Sequence, residues 1–190
     1  MVDFVLAPER TALVNVDMQN CFVHGSPFSA PDGMAVLGRI NRVAAACRDA
    51  GILVIHTSHV LRPDGSNIGV LGEIAAIVKR GTINKGSESA ALHKGLVVDS
   101  RDILLEKPRF GAFHGTDLEL IQVLTGSTAL SSLGLQQMSV VKQLPARPQF
   151  AIFACFSLAT VLQPSILEIS RLPTCRRRRA PPSNSCLLKY

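Results

Sequence analysis

The apolar positions of the first two thirds of the chain follow two different periods. Thr11 to Met18, "TALVNVDM", is a nearly continuous apolar run that ends in an acid. Such a run predicts a strand buried on both faces in a parallel sheet, with its carboxyl end opening onto a site. From Met34 to Ala50 the period changes: Val36, Leu37, Ile40, Val43, Ala44 and Cys47 recur at helical intervals, and Gly51 supplies the stop. "ILVIHT" at Ile52 to Thr57 predicts a second strand, and "DILLEK" at Asp102 to Lys107, closed by Pro108, a third. "TDLE" at Thr116 to Glu119 has the form of a capping box that opens another helix. Strand, helix, strand, strand, helix predicts a three-layer α/β/α domain around a parallel, Rossmann-like sheet, with ligands at the carboxyl ends of the strands.

Past residue 121 the chain changes character. Residues 1–121 carry 12 Lys and Arg against 13 Asp and Glu. Residues 122–190 carry 8 basic residues against the single acid Glu168, with no Asp or His and six of the eleven prolines. The net charge of +6 therefore comes from one end and is not a distributed nucleic-acid footprint. Two segments are expected: 1–121, the N-terminal part of one α/β domain, and 122–190, an aberrant C-terminal piece that leaves the sheet incomplete.

Within that piece "CRRRRAPPSNS" from Cys175 has the form of a basic nucleic-acid patch but lacks interleaved aromatics, so a solvated tail is the better reading. "FAIFACFSLATVLQPSIL" from Phe150 is broken by Gln163 and Pro164, short of the ~20 residues that a membrane helix needs. Neither nucleic acid nor membrane is expected as a partner. Five cysteines without a CxxC pair indicate neither a disulfide framework nor a zinc ribbon, and the N-terminus has no signal-peptide core. A reducing, cytoplasmic setting is expected.

Asp17 and Lys107 end the first and third predicted strands. Either alone is an ordinary strand-end charge. Their surroundings say more: "ALVNVDMQNCF" carries a strand-D-x-Q signature with a following Phe, and "KPRFGAFHGTDLELI" a Lys block with A-F and T-x-L. Over roughly Pro8 to Ile121 the chain resembles the isochorismatase-like cysteine hydrolases, a family that includes nicotinamidases, N-carbamoylsarcosine amidases and ureidoacrylate amidohydrolases. The resemblance implies hydrolysis of a C–N bond in a small amide or ureido compound by an Asp, Lys, Cys triad, with Asp17 and Lys107 in the first two places. It also implies no cofactor, and substrate contacts at Gln19, Phe22, Arg109 and Phe113; Arg109, Phe113 and the neighbouring His114 fit packing or surface roles equally well. His56 and His59 follow the second strand, where nicotinamidases hold a metal in a D-x-H arrangement; without that spacing or a second carboxylate, no metal is expected. Homo-oligomers of the family type are not expected of a chain altered after residue 121.

The family's cysteine follows the next strand, at a helix N-terminus. There its thiol, near pKa ~8.5 when free, is lowered by the helix end and a nearby ammonium. Here that place reads "LGLQQMSVV", Leu133 to Val141, with Val140 where the sulfur belongs. The genetic code offers a reason. Gln codons are CAA or CAG, Met is ATG, and Val begins GT, so a reading one base earlier through Gln136 to Val141 allows A-T-N-V-C-C, which is the nucleophile motif. The same shift allows I-D at Ser127 and Thr128, glycine again at Gly134, and family-like runs from Lys142 and Phe153. A one-base slip between about Ile121 and Gly126 is the expectation. Cys155, in an apolar run well past that place, is a poor substitute nucleophile. A scaffold of this kind without its sulfur is expected to be inactive. The alternatives are a non-catalytic remnant that binds a ligand or partner, and a binder of membranes or nucleic acids through the basic tail.

Overall fold

The computed structural model describes residues 4–127, 129–134, 151–157 and 186–188. Its centre is a five-stranded sheet in which every neighbouring pair is parallel, in the order β4-β3-β2-β5-β6. The strands are β2 (Thr11–Val16), β3 (Leu53–His59), β4 (Ile103–Lys107), β5 (Ala129–Gly134) and β6 (Ala151–Ser157). A separate antiparallel pair joins β1 (Phe4–Leu6) to β7 (Cys186–Leu188).

All six residues of β2 are buried, as a strand covered on both faces must be. Its side chains divide between two cores. Leu13 and Val54 face α2 (Gly33–Asp49), whose Val36, Leu37, Ile40, Ala44 and Cys47 form one apolar stripe. Ala12, Val14 and Val16 face the other way, where Ile55, Leu105 and Leu118 of α5 (Leu118–Thr125) complete a second core. These are the expected three layers. A third cluster, around Cys21 of the short α1 (Asn20–Val23), Leu61, Leu71 of α3 (Leu71–Ile74), Val78 of α4 (Ala76–Lys79) and Ile83, lies beside the carboxyl end of β2.

The expected helix over 34–50 and the three expected strands are present with ends shifted by one or two residues. α5 begins one residue later than the capping motif implies, with Asp117 at its N-cap, and the Leu118 N–H donates to the Thr116 hydroxyl at 3.3 Å. A larger correction concerns the sheet beyond residue 121. It does not stop there, because β5 pairs with the whole of β2, from Thr11 opposite Ala129 to Val16 opposite Gly134. Gly134 permits this approach: a Cβ there would lie 2.8 Å from Val16 Cβ and 2.9 Å from its carbonyl oxygen. The apolar run from Phe150 supplies β6, so its first part belongs to the sheet and not to a membrane helix.

Candidate active site

The carboxyl ends of β2, β4 and β5 meet at one edge of the sheet. At the end of β2 the backbone of Asp17 turns into the left-handed region, φ 54°, where an L residue is strained and Asp is among the few that tolerate it. The turn is pinned by β3: the Asp17 N–H donates to the Thr57 carbonyl at 3.1 Å, and the Thr57 hydroxyl donates to Asp17 Oδ1 at 2.8 Å. On the other side Lys107 Nζ donates to Asp17 Oδ2 at 2.6 Å. Its remaining hydrogens go to the carbonyls of Arg109 at 3.2 Å and Phe110 at 3.1 Å, which uses all three donors of the ammonium. The lysine side chain is fully buried and that of Asp17 is 16% exposed, so the carboxylate is the half of the pair that a ligand can reach.

The other residues singled out from the sequence fall into different places. Gln19 is buried and wholly engaged with the backbone: its amide donates to the carbonyls of His59 at 3.1 Å and Ala90 at 2.6 Å and accepts from the His59 N–H at 2.7 Å. It fastens the chain after Asp17 to the end of β3 and frames the site from behind. Phe22, half-buried, lines a cavity of about 160 Å³ that also takes in Asp17, Phe28, His59 and Phe110. Arg109 turns away from that cavity and donates to the carbonyls of Asn67 at 2.8 Å and Pro108 at 2.6 Å. Phe113 packs on the α5 side of the sheet with Val14 and Leu118. Thr57, Phe28 and Phe110 join these residues at the site without having been singled out from the sequence: Thr57 reads as a strand residue, Phe110 as one position within the Lys107 block, and Phe28 lies outside any motif.

The two histidines have separate environments. His56 belongs to a buried polar chain on the α2 side: Asn15 Nδ2 approaches its Nδ1 at 3.3 Å, and its Nε2 lies 3.0 Å from Asp102 Oδ2. Arg48 holds both Asp102 oxygens, at 2.9 and 2.6 Å. Burial pushes the Asp102 carboxyl up, but the hydrogen bonds from Arg48, the Asp99 N–H and His56 outweigh it and hold the group below the ordinary carboxylate range. Burial likewise lowers His56, against the pull of Asp102. This chain ties α2 to β3 and to the start of β4. His59 instead lines the cavity, its ring edge-on to Phe110 with centroids 5.5 Å apart. Burial, and after it the charge of Lys107, pushes its imidazole down to about 4. Its Nε2 is buried with no hydrogen-bond partner among the described residues.

The buried Cys21 and Cys47 are not activated thiols. Cys21 lies near enough to Asp17 to feel its charge, but burial, with that charge, raises its thiol to about 11, so it is not a thiolate at neutral pH. Cys155 sits within β6, the outermost strand on that side of the sheet, at the position opposite Ser132. Val140 lies outside the described residues, as does the basic run Arg176 to Arg179. Among the described residues no three His, Cys, Asp or Glu side chains group as metal ligands, and no helix is long and apolar enough to cross a membrane.

Asp17 and Lys107 thus form a largely buried ion pair at the carboxyl edge of a parallel sheet, beside the end of β5. The model of the isochorismatase domain matches residues 11–143. This chain belongs to the isochorismatase family. The match runs past Ile121, takes in β5 and includes Val140. A probable inactive nicotinamidase from Arabidopsis thaliana is 30% identical over 137 residues, covering 70% of each chain. An N-carbamoylsarcosine amidase from an Arthrobacter species is 28% identical over 131 residues, 63% of this chain and 50% of the amidase, so the chain spans only half of that relative. Among solved structures, an isochorismatase family protein of Desulfovibrio vulgaris is 30% identical with a TM-score of 0.63, covering 70% of each chain. Asp17 and Lys107 both lie within the matched residues.

Proposed function

We propose that this scaffold is that of a cytoplasmic, cofactor-free hydrolase of a C–N bond in a small amide or ureido compound, and that the chain as it stands lacks the activity because its frame slips by one base near residue 122. The observation that carries the first half is the Asp17–Lys107 pair, 2.6 Å apart at the edge where β5 ends. In the complete enzyme the pair works on a thiol supplied just past β5. Lys107 stabilises the thiolate, and Asp17 accepts the thiol proton and returns it to the leaving nitrogen as the C–N bond breaks. Backbone N–H groups hold the oxyanion, and water then cleaves the thioester. Asp17 has the freedom for this that Lys107 lacks, since only the carboxylate is partly open.

Three features support the frame reading. On α5 the buried positions are Leu118 and Gln122, and Gln122 has neither amide atom bonded among the described residues, while Val123 and Leu124, next in sequence, are exposed. An amphipathic helix in register would reverse that polarity. In β5, which lies between β2 and β6, two serines, Ser131 and Ser132, stand opposite Leu13 and Val14, whereas strands inside a parallel sheet are ordinarily apolar. Gly134, the residue that meets the close approach of Val16, can be glycine in the shifted frame as well, so the docking of β5 is compatible with the frame reading. Reading the coding DNA tests the proposal: the absence of a family-like alternative frame from about codon 122 onward overturns it.

A second reading has one observation in its favour. A relative covering 70% of the chain is itself named a probable inactive nicotinamidase. The cavity and the ion pair both lie in the segment before residue 122, so a non-catalytic protein that still binds a small molecule is consistent with what is preserved. Ligand binding without turnover, in a chain whose coding frame proves correct, favours it.

A further inference from the structure

The Asp17–Lys107 pair and its cavity lie at the carboxyl edge of the sheet. The amino edge holds a second hollow, which the hydrolase reading does not use. Its volume of about 370 Å³ is within the range of small-molecule sites. Thr11, in its wall, opens β2, and Asp17 follows the other end of that strand. At about 3.3 Å per residue the two sites are roughly 20 Å apart.

Arg48 brings an incomplete fork to this wall. Its side chain is only 8% exposed, and its hydrogen bonds all leave from Nε and Nη2: to the two Asp102 oxygens at 2.9 and 2.6 Å and to the Val97 carbonyl at 2.9 Å. Nη1 keeps two hydrogens with no acceptor among the described residues, although donors so largely buried are ordinarily satisfied. Arg101 lines the same hollow, and its bonds to Asp99 also use only Nε and Nη2. The hydroxyls in the wall have the opposite character. Thr11 donates to the Ala7 carbonyl and Thr125 to the Ile121 carbonyl, each at 2.8 Å, so what they can still offer a ligand is lone pairs. Glu9 adds a carboxylate. The charges of the wall balance, Arg48 and Arg101 against Glu9 and Asp102. A ligand of one charge is attracted by one pair and repelled by the other, whereas a zwitterion can gain at both of its ends.

We propose that the amino-edge hollow binds a free aliphatic α-amino acid as its zwitterion. The carboxylate lies on Arg48 Nη1 and Arg101, the ammonium on Glu9 and the Thr11 hydroxyl, and the aliphatic side chain against Ile52 and Leu53. All six residues precede residue 122, so the site stands whether or not the frame slips, and it stands apart from any hydrolysis at Asp17.

The test is titration of the full, isotope-labelled chain with L-leucine, followed by its backbone amide NMR signals. L-leucine is expected to move the signals of Gly51, Ile52 and Arg101 and to leave those of Asp17 and His59 in place. It is expected to bind at least about tenfold more tightly than 4-methylpentanoate, which lacks the ammonium, and 3-methylbutylamine, which lacks the carboxylate. Glu9→Gln and Arg101→Gln, both at exposed positions, should each weaken L-leucine by about fivefold or more while the melting midpoint of the free chain changes little. A folded chain that fails to bind L-leucine overturns the proposal. So does a singly charged analogue that binds as tightly, a set of shifts centred on Asp17 and His59, or an unchanged affinity in either variant.

Discussion

Lys107 Nζ lies 2.6 Å from Asp17 Oδ2 although their strands are not neighbours: β3 runs between β4 and β2, and the lysine reaches across its end. Thr57 of β3 completes the bridge through Asp17 Oδ1. Three strands are thus joined at their carboxyl edge by one carboxylate.

Removing the lysine therefore affects more than chemistry. Lys107→Met leaves the Asp17 carboxylate short of its cation and two carbonyls short of a donor. A loss of about 3 kcal/mol is expected, at the low end for a broken buried pair because Asp17 retains some solvent access. The double variant Asp17→Asn with Lys107→Met removes the uncompensated charge, keeps a side chain that tolerates φ 54°, and should recover part of that loss. Urea melts of the three proteins check this, and equal midpoints for the single and double variants would refute it.

His59 makes stability depend on pH in a defined window. Its folded-state value, about 4, is below the ordinary 6.5, so between those values the unfolded chain binds the proton and the folded one does not. Stability is therefore full above about pH 6.5 and falls as the pH drops toward 4. The shift corresponds to ~3 kcal/mol across the whole window. His56, also lowered by burial, acts in the same direction. Asp102, held low, adds a further loss only under more acid conditions, below its unfolded value of 3.8. His59→Phe should flatten the slope between pH 6.5 and 4 without abolishing it, as read from denaturant midpoints across that range.

Much of this was legible in the sequence for a physical reason. A strand buried on both faces is largely apolar, so "TALVNVDM" marks β2 and its terminal acid marks the carboxyl edge of the sheet. The helical spacing from Val36 to Cys47 marks α2 in the same way. What was not legible depends on contacts between distant segments. Gln19, within a recognisable motif, proves to be a structural tie because His59 and Ala90 bring their backbones to it. Thr57 becomes part of the site only through its register opposite Val16. The docking of β5 was not expected because the segment after residue 121 reads as out of frame, while the feature that permits it is the absence of a Cβ at Gly134.

Gln122 offers a direct test of the altered polarity of α5. Its amide is buried with no partner among the described residues, and Leu118, one turn earlier, is apolar and buried. Gln122→Leu, close in volume, should stabilise the chain by about 1–2 kcal/mol, since it removes a desolvated polar group without leaving a cavity. An unchanged or lower melting midpoint would show that the amide is satisfied in solution and would weaken the frame reading.

Restoring the sulfur alone should not restore the enzyme. The chain as it stands is expected to show no amidase activity that iodoacetamide abolishes, because Val140 occupies the nucleophile's place and Cys21, raised to about 11 by burial, stays protonated. Val140→Cys supplies a thiol but not its setting: a helix N-terminus to lower its pKa and two amides for the oxyanion, each worth roughly 3 kcal/mol in comparable sites. Pro145 and Pro148 follow Val140 closely and oppose a helix beginning there. A chain with the frame repaired from about residue 122 replaces all of this at once, and the shifted reading allows a glycine to remain at position 134, opposite Val16. Activity on small amides and ureas is therefore expected from the repaired protein and not from Val140→Cys. In the repaired protein Asp17→Asn and Lys107→Ala should each reduce kcat by at least about a hundredfold. Equal activity in the point variant and the repaired chain would overturn the frame reading, since it would mean that the segment after β5 already builds the site.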